Sequence, residues 1–136
     1  MKISAKAEYA CLAILALAGC PPEAPPLRIR EIAEAHGIPE RYLVQILLQL
    51  KGAGLVVSVR GALGGYRLAR PADRMSLGEV LSAIDGPEPA PRDLPGVAAQ
   101  ALASVWEDVR AAERAVLDRT TIAQLRERSA PREWVI

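Results

Sequence analysis

Arg30-Glu31-Ile32-Ala33-Glu34-Ala35-His36-Gly37-Ile38-Pro39-Glu40-Arg41-Tyr42-Leu43-Val44-Gln45 places two short apolar patterns of helical spacing on either side of one glycine. Upstream, Leu27, Ile29, Ile32, Ala33 and Ala35 fall on one stripe, which predicts a helix from Leu27 to His36, and Gly37 supplies the positive φ that ends it. Downstream, Pro39 suits a first helical turn, and Leu43, Ile46, Leu47 and Leu50 recur until Gly52 and Gly54. Two helices joined by a short glycine-containing turn are the mark of a helix-turn-helix.

Beyond Gly54 the periodicity changes from helical to alternating. Leu55-Val56-Val57-Ser58-Val59-Arg60 and Tyr66-Arg67-Leu68-Ala69-Arg70 alternate apolar and polar residues as strands do, with Gly61, Gly64 and Gly65 between them. A glycine-framed hairpin directly after a helix-turn-helix is a wing, thin enough at its tip to lie against a nucleic-acid groove.

Working outward, Ser4 opens a first helix that carries Ile3, Ala7, Ala10, Cys11, Ile14, Leu17 and Ala18 on one stripe, and Gly19 with the prolines between 21 and 26 stops it. Ser76 and Glu79 form a capping box for a short helix ending at Gly86-Pro87. Residues 87–95 contain four prolines and read as an irregular linker. From Gly96 to about Thr120, Leu102, Val105, Trp106, Val109, Ala112, Val116 and Leu117 form an amphipathic stripe. A helix of about 22 residues is about 33 Å long, more than a small winged domain needs for its own core, so packing against a second copy is the economical use of it. Leu102, Val105, Trp106, Val109 and Val116 are the expected dimer contacts. Thr121 and Gln124 are placed to cap one more short helix, and residues 133–136 suit a terminal strand.

The expected class is therefore mainly α with a small β-hairpin: a winged helix-turn-helix over 1–86, a linker over 87–95, and a dimerisation helix with a C-terminal tail over 96–136. A chain of 136 residues, half of them apolar, suits one compact core. Lys6 and Glu8 interrupt the N-terminal apolar run, which excludes a membrane span there, and the start has no cleavable signal pattern. A cytoplasmic protein is the expectation.

Charge divides unevenly. Residues 1–70 hold nine Lys and Arg against five acids, net +4, and residues 71–136 hold eight against eleven, net −3, which together give the overall +1. No acid occurs between Arg41 and Ala72, while Lys51, Arg60, Arg67 and Arg70 do, an excess that suits a phosphate backbone. Cys11 and Cys20 fall about 13 Å apart along a helix axis and on opposite faces, so they neither pair nor share a metal, and Cys20, at the helix end, is the expected exposed thiol. His36, the one histidine, is a favourable last-turn residue rather than a metal ligand.

Met1-Lys2-Ile3-Ser4-Ala5-Lys6-Ala7-Glu8-Tyr9-Ala10, Arg30-Glu31-Ile32-Ala33, Ile38-Pro39-Glu40-Arg41-Tyr42-Leu43-Val44-Gln45 and Val59-Arg60-Gly61-Ala62-Leu63-Gly64-Gly65-Tyr66-Arg67-Leu68 together resemble the iron–sulfur cluster regulators of the IscR, NsrR and CymR type, over about residues 1 to 86. The resemblance implies a dimer whose recognition helices enter major grooves and whose wings reach adjacent minor grooves. It places Arg41, Tyr42 and Gln45 on the exposed side of the recognition helix, with Gln45 able to pair with an adenine edge. Arg60 and Gly61 would form the wing tip, Arg60 in the minor groove, with Tyr66 on the returning strand among the DNA-binding residues. Lys2, Ser4 and Lys6 would meet phosphate. Tyr42 has a second reading, its ring covering the edge of the core, and any of these cations read alone could be a solvated face.

The departure from the family bears on mechanism. Cluster-binding members carry three cysteines just before the long helix, where this chain has Pro87-Glu88-Pro89-Ala90-Pro91-Arg92-Asp93-Leu94-Pro95, without cysteine or histidine. Thiolate is the ligand such clusters need, so no cluster, metal or other cofactor is expected. Glu8, near a position some cluster-binding members use as a ligand, then has nothing to complete and reads as a surface carboxylate at a helix start. The resulting expectation is a homodimeric, sequence-specific repressor of palindromic operators, answering to a small molecule, a protein partner or a thiol change. A winged protein-interaction module acting on an enzyme is the alternative, and the acid-free segment favours DNA. Catalysis has no support: there is no nucleophile–base pair by spacing and no phosphate loop.

Overall fold

A computed structural model describes residues 2–129. The element order is α1 (Ala5–Ala18), α2 (Ile29–His36), α3 (Glu40–Gly52), β1 (Val56–Val59), β2 (Gly65–Leu68), a 3-10 turn (Ala72–Arg74), α4 (Leu77–Asp85), α5 (Val97–Arg119) and α6 (Ile122–Ser129). The mainly α winged helix-turn-helix architecture is as expected. The terminal strand expected at 133–136 lies outside the described residues.

Local chemistry sets the ends. Ser4 caps α1 by accepting from the Ala7 N–H at 3.0 Å. Gly37, at φ 65°, closes α2 in the left-handed region, its N–H donating to the Ala33 carbonyl. Ser76 and Glu79 make the expected box on α4, and Thr121 and Gln124 make another on α6, with Gln124 N–H to Thr121 Oγ1 at 3.1 Å and Thr121 N–H to Gln124 Oε1 at 2.9 Å.

Ile14 of α1, Ile32 of α2, and Leu43, Ile46, Leu47 and Leu50 of α3 are fully buried together, with Leu55, Met75 and Val80 closing the cluster. Burial of each such side chain contributes about 1.5–3 kcal/mol. Ile122 of α6 is buried in the same cluster, so the end of the described chain returns to α1 instead of trailing away. Its anchors are two backbone bonds, Ile122 N–H to Met75 carbonyl at 2.9 Å and Leu77 N–H to Thr120 carbonyl at 2.8 Å. Gly78 is buried where α4 meets α5: a methyl group there would lie 2.5 Å from Asp118 Oδ1.

Two expectations need correction. Leu27 does not begin α2; it pairs antiparallel with Tyr66, N–H to carbonyl at 3.1 Å and the reverse at 2.8 Å, adding a one-residue third strand to the wing. Helical spacing admitted Leu27, but an extended residue beside an open hairpin edge satisfies two backbone groups on each side. Cys20, expected as the exposed thiol, is half-buried as Cys11 is; both are free, and Cys20 Sγ donates to the Ala16 carbonyl at 3.8 Å.

Candidate nucleic-acid interface

α3 buries Leu43, Ile46, Leu47 and Leu50 and leaves Arg41, Val44, Gln45 and Leu48 exposed, which at 3.6 residues per turn is one continuous outer face. Tyr42 stands beside it, half of its surface exposed, with the Arg41 guanidinium 5.8 Å from its ring centroid. A cation at that distance favours the ring face electrostatically. Sequence reasoning missed Val44 and Leu48, though spacing from Arg41 would have found them. Apolar groups on such a face can meet thymine methyls, while Gln45 offers a donor and an acceptor to adenine.

The wing pairs Val56 with Leu68, Val57 with Arg67, Ser58 with Tyr66 and Val59 with Gly65. Its tip therefore runs from Arg60 to Gly64. Gly61 has φ 108°, and a side chain at Gly64 would put its Cβ 2.3 Å from the Val59 carbonyl oxygen, so the turn admits only glycine there. Arg60 is exposed and has no hydrogen-bond or ion-pair partner among the described residues. A free cation on a narrow tip is suited to a minor groove.

Two contacts hold this pair of elements in place, and neither was evident beforehand. Arg28 donates from Nη2 to the Ala62 carbonyl, fixing the wing tip to the start of α2. Lys51 donates from Nζ to Ser58 Oγ at 2.8 Å, fixing the end of α3 to β1. Arg30 and Glu40 lie 4.0 Å apart across the α2–α3 turn, both well exposed.

Other residues expected at the interface are placed less simply. Lys2 is exposed and Lys6 half-buried at the start of α1. Ser4 is already committed: besides capping α1 it donates to Asp85 Oδ1 at 2.8 Å. Tyr66 lies on β2 two residues past the tip, paired with Ser58 and Leu27, and packs against the core. The structure thus brings Arg41, Tyr42 and Gln45 together on α3 and sets Arg60 and Gly61 on the wing.

The family model described as Rrf2, iron-dependent transcriptional regulator, matches residues 3–128. The chain belongs to the Rrf2 family. Among its relatives is the putative HTH-type transcriptional regulator Rv1287 of Mycobacterium tuberculosis strain H37Rv, 42% identical over 132 residues that span 92% of this chain and 81% of that protein. Among solved structures, CymR (YrzC), described as the global cysteine regulator of B. subtilis, superposes with a TM-score of 0.85 at 33% identity, covering 96% of this chain and 99% of the other. The IscR structure from T. potens gives 0.80 at 35% identity, covering 96% and 89%. This Rrf2-family chain is accordingly a DNA-binding transcription regulator, and its relatives are regulators rather than enzymes.

The donors present do not fit the iron–sulfur cluster that the resemblance brings to mind. Residues 87–95 offer no thiol, and no group of three or more His, Cys, Asp or Glu converges among the described residues. Burial, with Glu8 and Asp85 adding to it, pushes the Cys11 thiol up to about 11, which disfavours the thiolate a metal requires. No helix among the described residues is long and apolar enough to cross a membrane.

Proposed function

We propose that the protein is a cytoplasmic homodimer that represses transcription from a palindromic operator without an iron–sulfur cluster or other cofactor. The observation that carries the dimer is α5: 23 residues long, it buries none of them, and Leu102, Val105 and Trp106 each expose more than half their surface while Val109 and Val116 expose nearly half. An apolar stripe of that length in water is covered most economically by its own symmetry mate. Two-fold symmetry then presents two α3 helices and two wings, which reads as an operator of two inverted half-sites about one or more helical turns apart.

Protein purified without oxygen tests the reading in one series: light scattering for mass, metal analysis for iron, and selection of bound sequences from random DNA. A dimer without iron that selects an inverted repeat is the expected result. A monomer, an iron-loaded brown protein or selection of an asymmetric site would each overturn the corresponding part. If no DNA is selected and salt leaves binding unchanged, the protein-interaction alternative takes its place.

A further inference from the structure

Behind the wing, a cleft of about 810 Å³ opens between the C-terminal end of α1, the loop after it, strand β2 and α6. Its apolar wall comes from Leu17, Ala18, Tyr66, Leu68 and Ala72. Opposite stand Pro21, Pro22, Pro25 and Pro26, whose fixed φ angles give the loop a rigid wall with no backbone N–H at those four positions. Arg67 crosses from β2 to the loop, donating to the Pro22 carbonyl at 3.0 Å, so the wall is already tied in place. A volume of this size, a mostly apolar lining and a few convergent polar groups are what a small-molecule site requires.

The charge on the lining is one-sided. Arg67, Arg70 and Arg126 face the cleft, and among the described residues no acidic side chain lines it. Arg70 is neutralised from outside by Glu79. Arg67 meets only a carbonyl, and the Arg126 guanidinium has no ion pair or hydrogen bond among the described residues. Two cations without counter-charge among the described residues therefore border an apolar cavity. We propose that this cleft is a binding site for a small organic anion with an apolar body, its acid group meeting Arg126 and Arg67 and its body lying between Leu17, Leu68 and the proline wall. Such a ligand would join α6 to the return strand of the wing. The site is independent of the DNA-binding reading, since it can be occupied in the free protein.

Cys20 lines the same cleft and serves as the reporter. The full-length protein is alkylated with iodoacetamide at pH 8, and modification at Cys20 and Cys11 is followed separately by peptide mass spectrometry. The probe is 8-anilinonaphthalene-1-sulfonate, with its uncharged parent N-phenyl-1-naphthylamine as the comparison. At ten times its Kd the sulfonate is expected to slow Cys20 alkylation about tenfold, because only empty sites react. The neutral compound should protect far less, Arg126→Glu should abolish the sulfonate's advantage, and Arg126→Lys should keep most of it. Unchanged Cys20 alkylation in the presence of sulfonate would overturn the site. Equal protection by the neutral compound, or full protection in Arg126→Glu, would overturn the anionic class. Binding of either probe to the exposed face of α5 leaves Cys20 unprotected and counts against the proposal.

Discussion

Ser4 Oγ donates to Asp85 Oδ1 at 2.8 Å while accepting from the Ala7 N–H at 3.0 Å, so one hydroxyl closes the first turn of α1 and also holds the last residue of α4, 81 positions away. Ser4→Ala is expected to lower stability by about 1 kcal/mol, chiefly through the lost cap. Urea denaturation checks it. In Asp85→Ala the cap survives, so a smaller loss is expected; equal losses would mean the inter-helix bond matters more than the cap.

Gly65 meets the Leu27 backbone so closely that a Cβ would fall 2.4 Å from its carbonyl oxygen. Backbone cannot move aside as a flexible side chain can. Gly65→Ala should break the Leu27–Tyr66 pairing and destabilise the fold by about 1–3 kcal/mol. Amide exchange at Leu27 and Tyr66 should accelerate with it, whereas an unchanged Tyr66 amide would contradict the account.

At the wing tip, Arg60→Ala removes a cation that has no partner among the described residues. Folding and mass should stay as they are. Affinity for the selected operator should fall, and the slope of log binding against log salt should shrink by about 1 if the guanidinium meets phosphate. Retained affinity would remove the tip from the interface.

On α5, Val109→Glu places a carboxylate in the middle of the apolar stripe. Exposure of Val109 in the single chain means that the protomer fold should survive the change. Light scattering should then report half the wild-type mass, with operator binding weakened because the two half-sites are no longer linked. An unchanged mass would place the dimer interface elsewhere.

Acid stability has an identifiable contributor at Glu79. A side-chain hydrogen bond from Arg70 holds the Glu79 carboxyl below its ordinary value of 4.5, with further help from the Ser76 backbone. Because the folded pKa is the lower one, the stabilisation is present above the unfolded value and is lost as pH falls through the folded value. Glu79→Gln keeps an acceptor for the capping box and removes the charge, so it should flatten the dependence of stability on pH below about 5. Its loss above that pH should be modest, since both partners remain substantially exposed to solvent.

Much of the fold was readable in the residues. The helix-turn-helix rested on Gly37 and on the Leu43, Ile46, Leu47, Leu50 stripe; the structure has Gly37 in the left-handed region and all four side chains buried. Both hairpin strands were found within a residue or two, β1 inside 55–60 and β2 shifted one residue earlier than expected, to Gly65. The outward residues Arg41, Tyr42 and Gln45 of α3 came from the family resemblance, and Val44 and Leu48 beside them were overlooked.

The sequence by itself determined what neighbours within four positions can decide: helix phases, the Ser76–Glu79 and Thr121–Gln124 boxes, the glycine tip, and a segment 87–95 that holds no thiol. These depend on backbone geometry and composition, which each stretch carries on its own. Tertiary structure alone decided that Leu27 becomes a strand partner of Tyr66, that Arg28 holds the wing tip, that Ser4 is tied to Asp85, and that Ile122 returns to the core beside α1. Each joins residues roughly 30 to 110 positions apart. No local pattern records such a pairing, because it exists only once the hydrophobic core has brought the distant segments together and left their polar groups in need of a partner.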